Sequence, residues 1–190
     1  MIRLRFITSN KHKFEEASKI LSNYGITLER LKIPVFEIQS DSIEEVSYTS
    51  MRYLVERGLV PPMSFLEDAG LFIRALKGFP GVYSAYVYKS IGCQGILKLM
   101  DNVEDRYAEF RSAIALYDGK SINIFTGVCR GRIGFEERGS YGFGFDPIFI
   151  PEGFKKTYAE LGEEIKNRIS HRAKALIKMA NTITTKLRLK

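Results

Sequence analysis

The sequence predicts an α/β fold whose central sheet contains both parallel and antiparallel strands. Near the N-terminus, an apolar segment at residues 2–7 precedes helical spacing over residues 14–24, which is typical of a strand leading into a helix. Farther on, residues 107–117 and 121–130 have strand composition and are separated by Asp118-Gly119, a dipeptide typical of β-hairpins. Helices between strands favour parallel pairing, whereas a hairpin is antiparallel, so we expect both kinds.

The other elements of the N-terminal half follow from apolar spacing interrupted by glycine and proline. Gly25 is a natural residue after the end of the first helix, and Thr27–Leu31 then suits a short second strand. Pro34 interrupts an extended stretch over residues 33–42. The pattern next predicts, in chain order, a helix over 43–58, a short strand over 63–67 that stops at a turn made by Asp68-Ala69-Gly70, a segment over 71–76, a turn cluster at Gly78-Phe79-Pro80-Gly81 and a helix over 90–101.

The C-terminal part begins with a glycine-rich loop over residues 131–144, followed by a short strand at residues 148–150. Thr157 and Glu160 have the spacing of a capping box, and Ser170 is suited to cap a last helix. The apolar residues that recur at helical spacing in this last helix are Ala173, Leu176, Ile177, Ala180, Ile183 and Leu187.

The composition is that of a globular domain. Of the 190 residues, 45% are apolar and 27% charged, so we expect residues 1–190 to form a single domain without a clear linker. No apolar run approaches the ~18 residues of a spanning helix, and the N-terminus lacks the apolar core of a signal peptide. We therefore expect a cytoplasmic protein with no membrane partner. Cys93 and Cys129 lack CxxC spacing, so we expect buried thiols.

The net charge of +7 is concentrated at the C-terminal end. Residues 155–190 contain ten Lys and Arg against three acids, whereas residues 1–154 contain nineteen of each sign. A basic segment is compatible with nucleic-acid binding, with a solvated helix face, or with cations gathered around a small anionic ligand. The chain has no rows of basic and aromatic residues and no recognisable nucleic-acid motif, so we expect no nucleic-acid partner.

The turn between the first strand and the first helix, Thr8-Ser9-Asn10-Lys11-His12-Lys13, is a candidate phosphate site. A helix N-terminus presents unpaired backbone N–H groups and partial positive charge, and neighbouring lysines strengthen its preference for an anion. Ser and Asn are also favoured capping residues of any helix, so the turn taken alone is more typical of an ordinary N-cap. A phosphate site also requires a metal, further cations and a base pocket elsewhere in the chain.

Glu67 and Asp68 are candidate magnesium ligands. They end a hydrophobic predicted strand, where carboxylates face the ligand crevice of an α/β fold. Glu37 stands in a separate apolar extended stretch, and together these acids form the sparse oxygen-ligand set that magnesium uses with phosphate and water. The alternatives are simple turn chemistry for Asp68-Ala69-Gly70 and a solvent-facing position for Glu37.

The segment Phe143-Gly144-Phe145-Asp146-Pro147 is a candidate base pocket. Its glycine allows a close approach to the backbone between two aromatic rings, and one ring face can stack a base while Asp146 and the backbone offer hydrogen bonds to the base edge. The alternative is a loop pinned by its aromatic residues.

Lys166, His171 and Arg172 flank the predicted cap of the last helix, which is a second helix start surrounded by cations. The chain has two histidines, His12 and His171, and both lie at such a start. The alternative for a single histidine is a structural role in the core.

Five segments in this order and spacing resemble the inosine triphosphate pyrophosphatase family, the hydrolases of non-standard purine nucleoside triphosphates. They are Phe6-Ile7-Thr8-Ser9-Asn10-x-x-Lys13, Glu67-Asp68-Ala69-Gly70-Leu71, Gly78-Phe79-Pro80-Gly81-Val82-Tyr83-Ser84, Phe143-Gly144-Phe145-Asp146-Pro147 and Glu164-x-Lys166-Asn167-x-x-Ser170-His171-Arg172. The resemblance implies a two-lobed α/β fold with a long central mixed sheet flanked by helices, an active cleft between the lobes, and a homodimer. It also implies Mg²⁺-dependent hydrolysis of ITP, dITP and XTP to the nucleoside monophosphate and pyrophosphate.

The resemblance further implies roles for single residues. Asp68 would be the catalytic acidic residue that aids the attacking water, and Glu37, with Glu67 and Asp68, would bind magnesium. Lys13 would be the main phosphate cation of a triphosphate-lining segment. The remaining implied substrate contacts are Thr8, Ser9, Asn10, Lys11, His12, Ala69, Phe143, Gly144, Phe145, Asp146, Lys166, His171 and Arg172.

Two positions depart from the pattern of many members of this family. Ala69 stands where a serine is frequent, which removes a hydroxyl contact to substrate. Phe145 stands where Trp or Tyr is frequent, which removes a hydrogen bond and keeps the apolar face. Two alternatives remain: a septum-formation-type nucleotide pyrophosphatase with another base preference, against which Ser170-His171-Arg172 argues, and a non-enzymatic nucleotide or nucleic-acid binder that uses the basic C-terminal segment.

Overall fold

The computed structural model describes residues 2–188 and, in the last helix, side chains as far as residue 185. The strands are β1 (Ile2–Ile7), β2 (Ile26–Leu31), β3 (Ser64–Ile73), β4 (Pro80–Gly81), β5 (Tyr107–Tyr117), β6 (Ile122–Ile133) and β7 (Phe149–Pro151). The α-helices are α1 (Lys11–Ser22), α2 (Ile43–Glu56), α3 (Ser84–Leu99), α4 (Tyr158–Ile169) and α5 (His171–Arg188). Short 3-10 turns cover Arg74–Leu76 and Asp146–Ile148.

The strands form one sheet in the order β2-β1-β3-β5-β6-β7, with β4 paired to β3. β1 runs parallel to both β2 and β3, and its register aligns Ile7 with Leu31 on one side and with Leu66 on the other. All the other pairings are antiparallel, including the β5–β6 hairpin. The predicted mixed α/β sheet is therefore confirmed.

Strand β3 is longer than predicted and continues through Asp68-Ala69-Gly70. Its ten residues all pair with β5, with Asp68 opposite Ala113 and Gly70 opposite Arg111. The prediction of a turn here is wrong, because pairing with β5 keeps this segment extended and satisfies its backbone. Gly70 serves a different purpose: a Cβ at this position would lie 2.1 Å from the carbonyl oxygen of Gly81, so the glycine lets β4 approach.

Helix α3 begins at Ser84, before the predicted start at residue 90. Its first turns expose Tyr86 and Tyr88, so apolar spacing does not mark the buried face there. At Gly92 the backbone leaves helical geometry, with φ of 63°, and the helix continues in a second piece. The regular apolar spacing of that second piece is what the sequence prediction detected.

The predicted helix caps are confirmed. Asn10 accepts a hydrogen bond in the first turn of α1, Thr157 and Glu160 form a reciprocal capping box at α4, and Ser170 accepts a hydrogen bond at the start of α5. Each cap satisfies backbone N–H groups that have no partner inside the helix. The side chain of Leu187, predicted to pack in α5, lies outside the described side chains.

Apolar side chains pack on both halves of the sheet. In one half, α1 and α5 pack against β1, the start of β3 and the end of β5, and α2 packs nearby on β1, β3 and β5. In the other half, α3 and α4 pack against the end of β3, the start of β5 and the end of β6. The long strands β3, β5 and β6 connect these two lobes.

Cations of the basic C-terminal region make contacts within the fold. Lys166 and Arg172 are buried, and Lys174 and Lys178 each donate a 2.8 Å hydrogen bond to a backbone carbonyl of β6. Both cysteines are buried and free, as predicted. Across residues 2–188, no helix has the length and apolarity needed to cross a membrane.

Candidate active site

A cavity of about 830 Å³ opens where the two lobes meet. Apart from Lys11, all the predicted site residues line it: Thr8, Ser9, Asn10, His12, Lys13, Glu37, Glu67, Asp68, Ala69, Phe143, Gly144, Phe145, Asp146, Lys166, His171 and Arg172. The side chain of Lys11 is 76% exposed, and its Nζ lies 3.4 Å from a carboxylate oxygen of Glu15 on the surface of α1. The structure thus brings the four predicted groups of site residues into one cavity and leaves Lys11 outside it.

The turn before α1 is tied to the middle of β3. Thr8 Oγ1 accepts a 3.1 Å hydrogen bond from the N–H of Asn10, which shapes the turn. Lys13 Nζ donates to the backbone oxygen of Glu67 at 3.2 Å and lies 3.8 Å from Glu67 Oε2. The ammonium of Lys13 is therefore held next to Asp68 and remains partly open to the cavity.

A network of buried ion pairs lies at the cavity wall and behind it. Lys166 Nζ lies 2.8 Å from Glu16 Oε1 and 2.5 Å from Asp146 Oδ2. Arg172 donates from Nε to Glu67 Oε2 at 2.9 Å and also contacts Glu16 through its NH1 group. These side chains are almost completely buried, so the charges satisfy each other rather than water.

The network determines the protonation of its members. Burial raises the pKa of a carboxyl. At Glu16 the charges of Arg172 and Lys166 outweigh this effect, and the pKa lies below its usual range. At Glu67 the charges of Arg172 and Lys13 lower the pKa in the same way. Burial, followed by the charge of Arg172, lowers the pKa of His171 well below its usual value, so this imidazole is neutral at pH 7.

Two buried acids have a raised pKa instead: burial outweighs Lys166 at Asp146, which stays within the ion network, and burial also dominates at Asp68. Burial, opposed by Lys13 and reinforced by the charges of Glu37 and Glu67, raises the pKa of Asp68 to about 6. Its Oδ2 is buried and has no hydrogen-bond partner among the described residues. Asp68 therefore lines the cavity with a carboxylate that is more basic than an ordinary aspartate and has one oxygen without a hydrogen-bond partner among the described residues.

The loop over residues 143–146 forms the aromatic wall. The N–H of Phe143 donates to Asp146 Oδ2 at 2.9 Å, and the Phe143 ring lies under Lys166 Nζ, with 4.6 Å between Nζ and the ring centroid. Phe145 is buried and contacts Tyr88 edge to face, with ring centroids 5.4 Å apart. The loop thus offers one accessible aromatic ring and one ring that packs into the core.

Comparison with known sequences places this architecture in a family. The sequence model of the Ham1 family matches residues 4–182. The chain belongs to the Ham1 family. Two curated relatives, each named dITP/XTP pyrophosphatase, come from Thermococcus kodakarensis and Methanothermobacter marburgensis. The first is 54% identical and covers 98% of this chain and 100% of its own length; the second is 52% identical and covers 96% and 97%.

Solved structures agree with the Ham1 assignment. The structure of a Ham1 protein from Coxiella burnetii has a TM-score of 0.83 with 29% identity, covering 97% of this chain and 100% of its own. The Ham1 protein of Staphylococcus aureus has a TM-score of 0.82 with 25% identity, covering 97% and 99%. The family resemblance seen in the sequence motifs is confirmed.

The carboxylates of this Ham1-family cavity suit a metal with few protein ligands. Among residues 2–188, no group of three or more His, Cys, Asp or Glu side chains is arranged to hold a metal ion. Both carboxylate oxygens of Glu67 already accept hydrogen bonds, from Ser112 and from Arg172, whereas Asp68 Oδ2 has no partner. Magnesium takes few protein carboxylates and keeps water and phosphate oxygens, so Asp68, with Glu37 on the same wall, fits it better than Glu67.

Several residues of the Ham1-family site were not predicted. Glu16 joins two buried cations, and Ser112 donates to Glu67, while Lys32 and Lys89 line the cavity and have no ion pair among the described side chains. The sequence carried a signal for Glu16, because it falls on the same face of α1 as the buried Ile20. The other three have no local pattern that distinguishes them.

Proposed function

We propose that this protein hydrolyses ITP, dITP and XTP to the nucleoside monophosphate and pyrophosphate, with Mg²⁺, in the cytoplasm. Relatives that are 54% and 52% identical over almost the whole chain are named dITP/XTP pyrophosphatases. The observation that carries the proposal is the convergence in one cavity of the lysine turn, the unpaired Asp68 and the aromatic loop. These features match the needs of the reaction: charge neutralisation, activation of water and retention of a purine.

At the phosphate end, the start of α1 and Lys13 neutralise the triphosphate. A triphosphate brings about four negative charges, which repel a nucleophile unless cations and helix N–H groups offset them. Lys13 is held at the cavity edge by the backbone oxygen of Glu67 and keeps donor capacity for a phosphate oxygen. Lys32, which follows β2 beside the Thr8 turn, supplies a further cation on the same wall.

Asp68 accepts the proton of the attacking water. With its pKa raised to about 6, the carboxylate is ionised at pH 7 and is a stronger base than an ordinary aspartate. The water oxygen attacks the α-phosphorus, its proton passes to Asp68, and the bond to the bridging oxygen of pyrophosphate breaks. Pyrophosphate leaves as the anion, and the nucleoside monophosphate carries the new oxygen.

Bound Mg²⁺ would neutralise charge on the triphosphate and on the leaving pyrophosphate. We propose Asp68 and Glu37 as the residues that hold it. Both line the cavity, and the charge of Glu37 is near enough to raise the pKa of Asp68. Glu67, which the resemblance implied as a further ligand, instead fixes Arg172 and Lys13.

At the base end, hydrogen-bond donors select the C6 carbonyl of hypoxanthine and xanthine. Arg172 is oriented by two carboxylates and has further N–H donors, and the neutral His171 has an unpartnered Nδ1, which donates in the tautomer that carries the proton on Nδ1. Adenine presents an amino group at C6, so these donors would stay unpaired at a cost of about 1–3 kcal/mol per group. Guanine shares the carbonyl, so its rejection would rest on its 2-amino group.

Turnover of ITP in ¹⁸O-labelled water tests the position of attack. We expect inosine monophosphate carrying the label and unlabelled pyrophosphate, identified by ³¹P NMR and mass spectrometry. Label in pyrophosphate would move the attack to the β-phosphorus, and inosine diphosphate with orthophosphate as products would contradict the proposed reaction.

We also propose a homodimer, which the resemblance implies. Phe79, Tyr83 and Tyr86 are 40%, 43% and 74% exposed along one segment that enters α3. Exposed aromatic side chains in succession are typical of protein interfaces. Light scattering should give the mass of two chains for the wild type and a shift towards one chain for Tyr86→Lys. A wild-type mass of one chain would contradict the proposal.

A further inference from the structure

The rings of His12 and Phe143 form a stacked pair across the cavity. Their centroids are 5.5 Å apart and their planes differ by 16°. His12 lies in the first turn of α1, beside the phosphate-binding Lys13, whereas Phe143 belongs to the aromatic loop that holds the base in the proposed function. The pair therefore joins the phosphate end of the cavity to its base end.

The two rings are held differently. Phe143 is fixed by its backbone, because its N–H donates to Asp146 Oδ2 at 2.9 Å and the flanking Gly142 and Gly144 have left-handed φ values of 86° and 62°. The imidazole of His12 is exposed, and among the described residues it has no hydrogen bond or ion pair. Its ring contact with Phe143 is thus the interaction that orients it.

We propose that His12 is a base-stacking residue: the purine ring binds between the rings of His12 and Phe143. This inference rests on the proposed function, because it needs a substrate that carries a base. When a purine lies between two parallel rings, the planes of the two outer rings are about 7 Å apart, which is twice the contact distance of roughly 3.5 Å between carbon atoms. The present centroid distance is 5.5 Å, so the proposal requires the exposed side chain of His12 to move away from Phe143 when the base enters.

This role differs from a phosphate contact, which is what the position of His12 in the Thr8–Lys13 segment implied. A stacking ring binds the face of any purine, so His12 adds affinity without selecting the base. Selection stays with the hydrogen-bonding groups at the base edge. The opposite role is also conceivable: a His12 ring that only filled the base position in the empty cavity would compete with the substrate. Removing such a ring would lower KM, whereas removing a stacking ring raises it.

Truncation of the ring tests the proposal. We expect His12→Ala to raise the KM for ITP about tenfold, the size of a lost base–aromatic stack, and to change kcat by less than about twofold. His12→Phe keeps a stacking ring and should stay near the wild type. Phe135→Ala is the matched control, because this ring is 84% exposed and contacts Arg106 away from the cavity. An unchanged or lowered KM for His12→Ala would overturn the proposal.

Inorganic tripolyphosphate separates stacking from phosphate contact. Because tripolyphosphate has no base, its inhibition constant should be the same for the wild type and for His12→Ala. A tenfold weaker inhibition of the variant would place His12 at the phosphates and overturn the proposal. Calorimetric binding of inosine monophosphate makes the comparison independent of turnover. Weaker binding of inosine monophosphate to the alanine variant, with unchanged calorimetric binding of tripolyphosphate, supports stacking even if the wild type fails to hydrolyse ITP, and equal binding of the monophosphate contradicts it.

Discussion

Arg172 and Glu67 form a buried ion pair, with 2.9 Å between Nε and Oε2, which joins the start of α5 to the middle of β3. Asp68, the next residue of β3, has no such partner for its buried Oδ2. Against the effect of burial, Arg172 lowers the pKa of Glu67, whereas at Asp68 burial dominates and raises the pKa to about 6. Adjacent carboxylates on one strand therefore differ: Glu67 is fixed in the buried ion network, whereas Asp68 keeps the raised pKa and the unpaired oxygen that suit the base role we propose.

Glu67→Gln should lower the free energy of unfolding by about 3 kcal/mol, because it leaves the buried Arg172 with an uncompensated charge. Urea denaturation monitored by circular dichroism measures this change. Glu163→Gln is the control, since Glu163 pairs with Lys19, whose side chain is 60% exposed. The control should lose less than about 1 kcal/mol. Equal losses in the two variants would contradict a structural role for the buried pair.

Asp68→Asn should reduce kcat by about 10²- to 10⁴-fold, because an amide cannot accept the proton of water at neutral pH. Nucleotide binding, measured by calorimetry with inosine monophosphate, should remain measurable. Asp101→Asn, at an exposed turn, provides the matched control and should retain wild-type turnover. Turnover of Asp68→Asn close to the wild type would remove Asp68 from the mechanism.

The pH dependence of kcat/KM should show an acid limb at or below pH 6, because the pKa of Asp68 is raised to about 6 without a metal and the charge of bound Mg²⁺ lowers it. The base works when deprotonated, so activity rises with pH through this pKa and falls about tenfold per unit below it. Because the charge of Glu37 contributes to raising the pKa, Glu37→Gln should lower the pKa of Asp68 in the metal-free protein, measured by NMR titration. A profile that stays flat across this pKa would show that another group limits the reaction.

Lys13→Met should raise the KM for ITP by at least about tenfold, since a charge-assisted hydrogen bond to phosphate is lost. Lys11→Met should change it by less than about twofold, because Lys11 is a surface residue paired with Glu15. Steady-state kinetics on both variants compares two lysines of one turn. Similar effects of the two substitutions would contradict the placement of Lys11 outside the cavity.

Local patterns were sufficient to predict most elements of the fold. The Asp118-Gly119 turn and the alternation around it mark the β5–β6 hairpin, and Thr157 with Glu160 marks the start of α4. The length of β3 was not predictable in this way. Gly70 resembles a turn residue locally, and its real constraint is the nearby backbone of Gly81, which is a long-range contact.

The site was predictable where its residues stand at helix starts or in recognisable motifs. Glu16 was missed because its partners, Lys166 and Arg172, are 150 and 156 residues away in sequence. Lys11 was included because proximity in sequence does not show which side of a helix start faces the cavity. Glu67 and Asp68 differ in environment because Arg172 pairs with Glu67, and no local sequence pattern specifies that contact.

In the proposed function, one cavity combines triphosphate hydrolysis with recognition of the purine C6 carbonyl. Pyrophosphate release from ITP, dITP, XTP, ATP and GTP, with and without Mg²⁺, tests it most directly. We predict release that depends on Mg²⁺. The kcat/KM for ITP, dITP and XTP should be about tenfold to more than a hundredfold above that for ATP, because adenine leaves hydrogen-bond donors of the site unpaired. GTP should also be a poorer substrate than ITP. Hydrolysis of ATP and GTP as fast as ITP and XTP, or no release of pyrophosphate from any of the five, would contradict it.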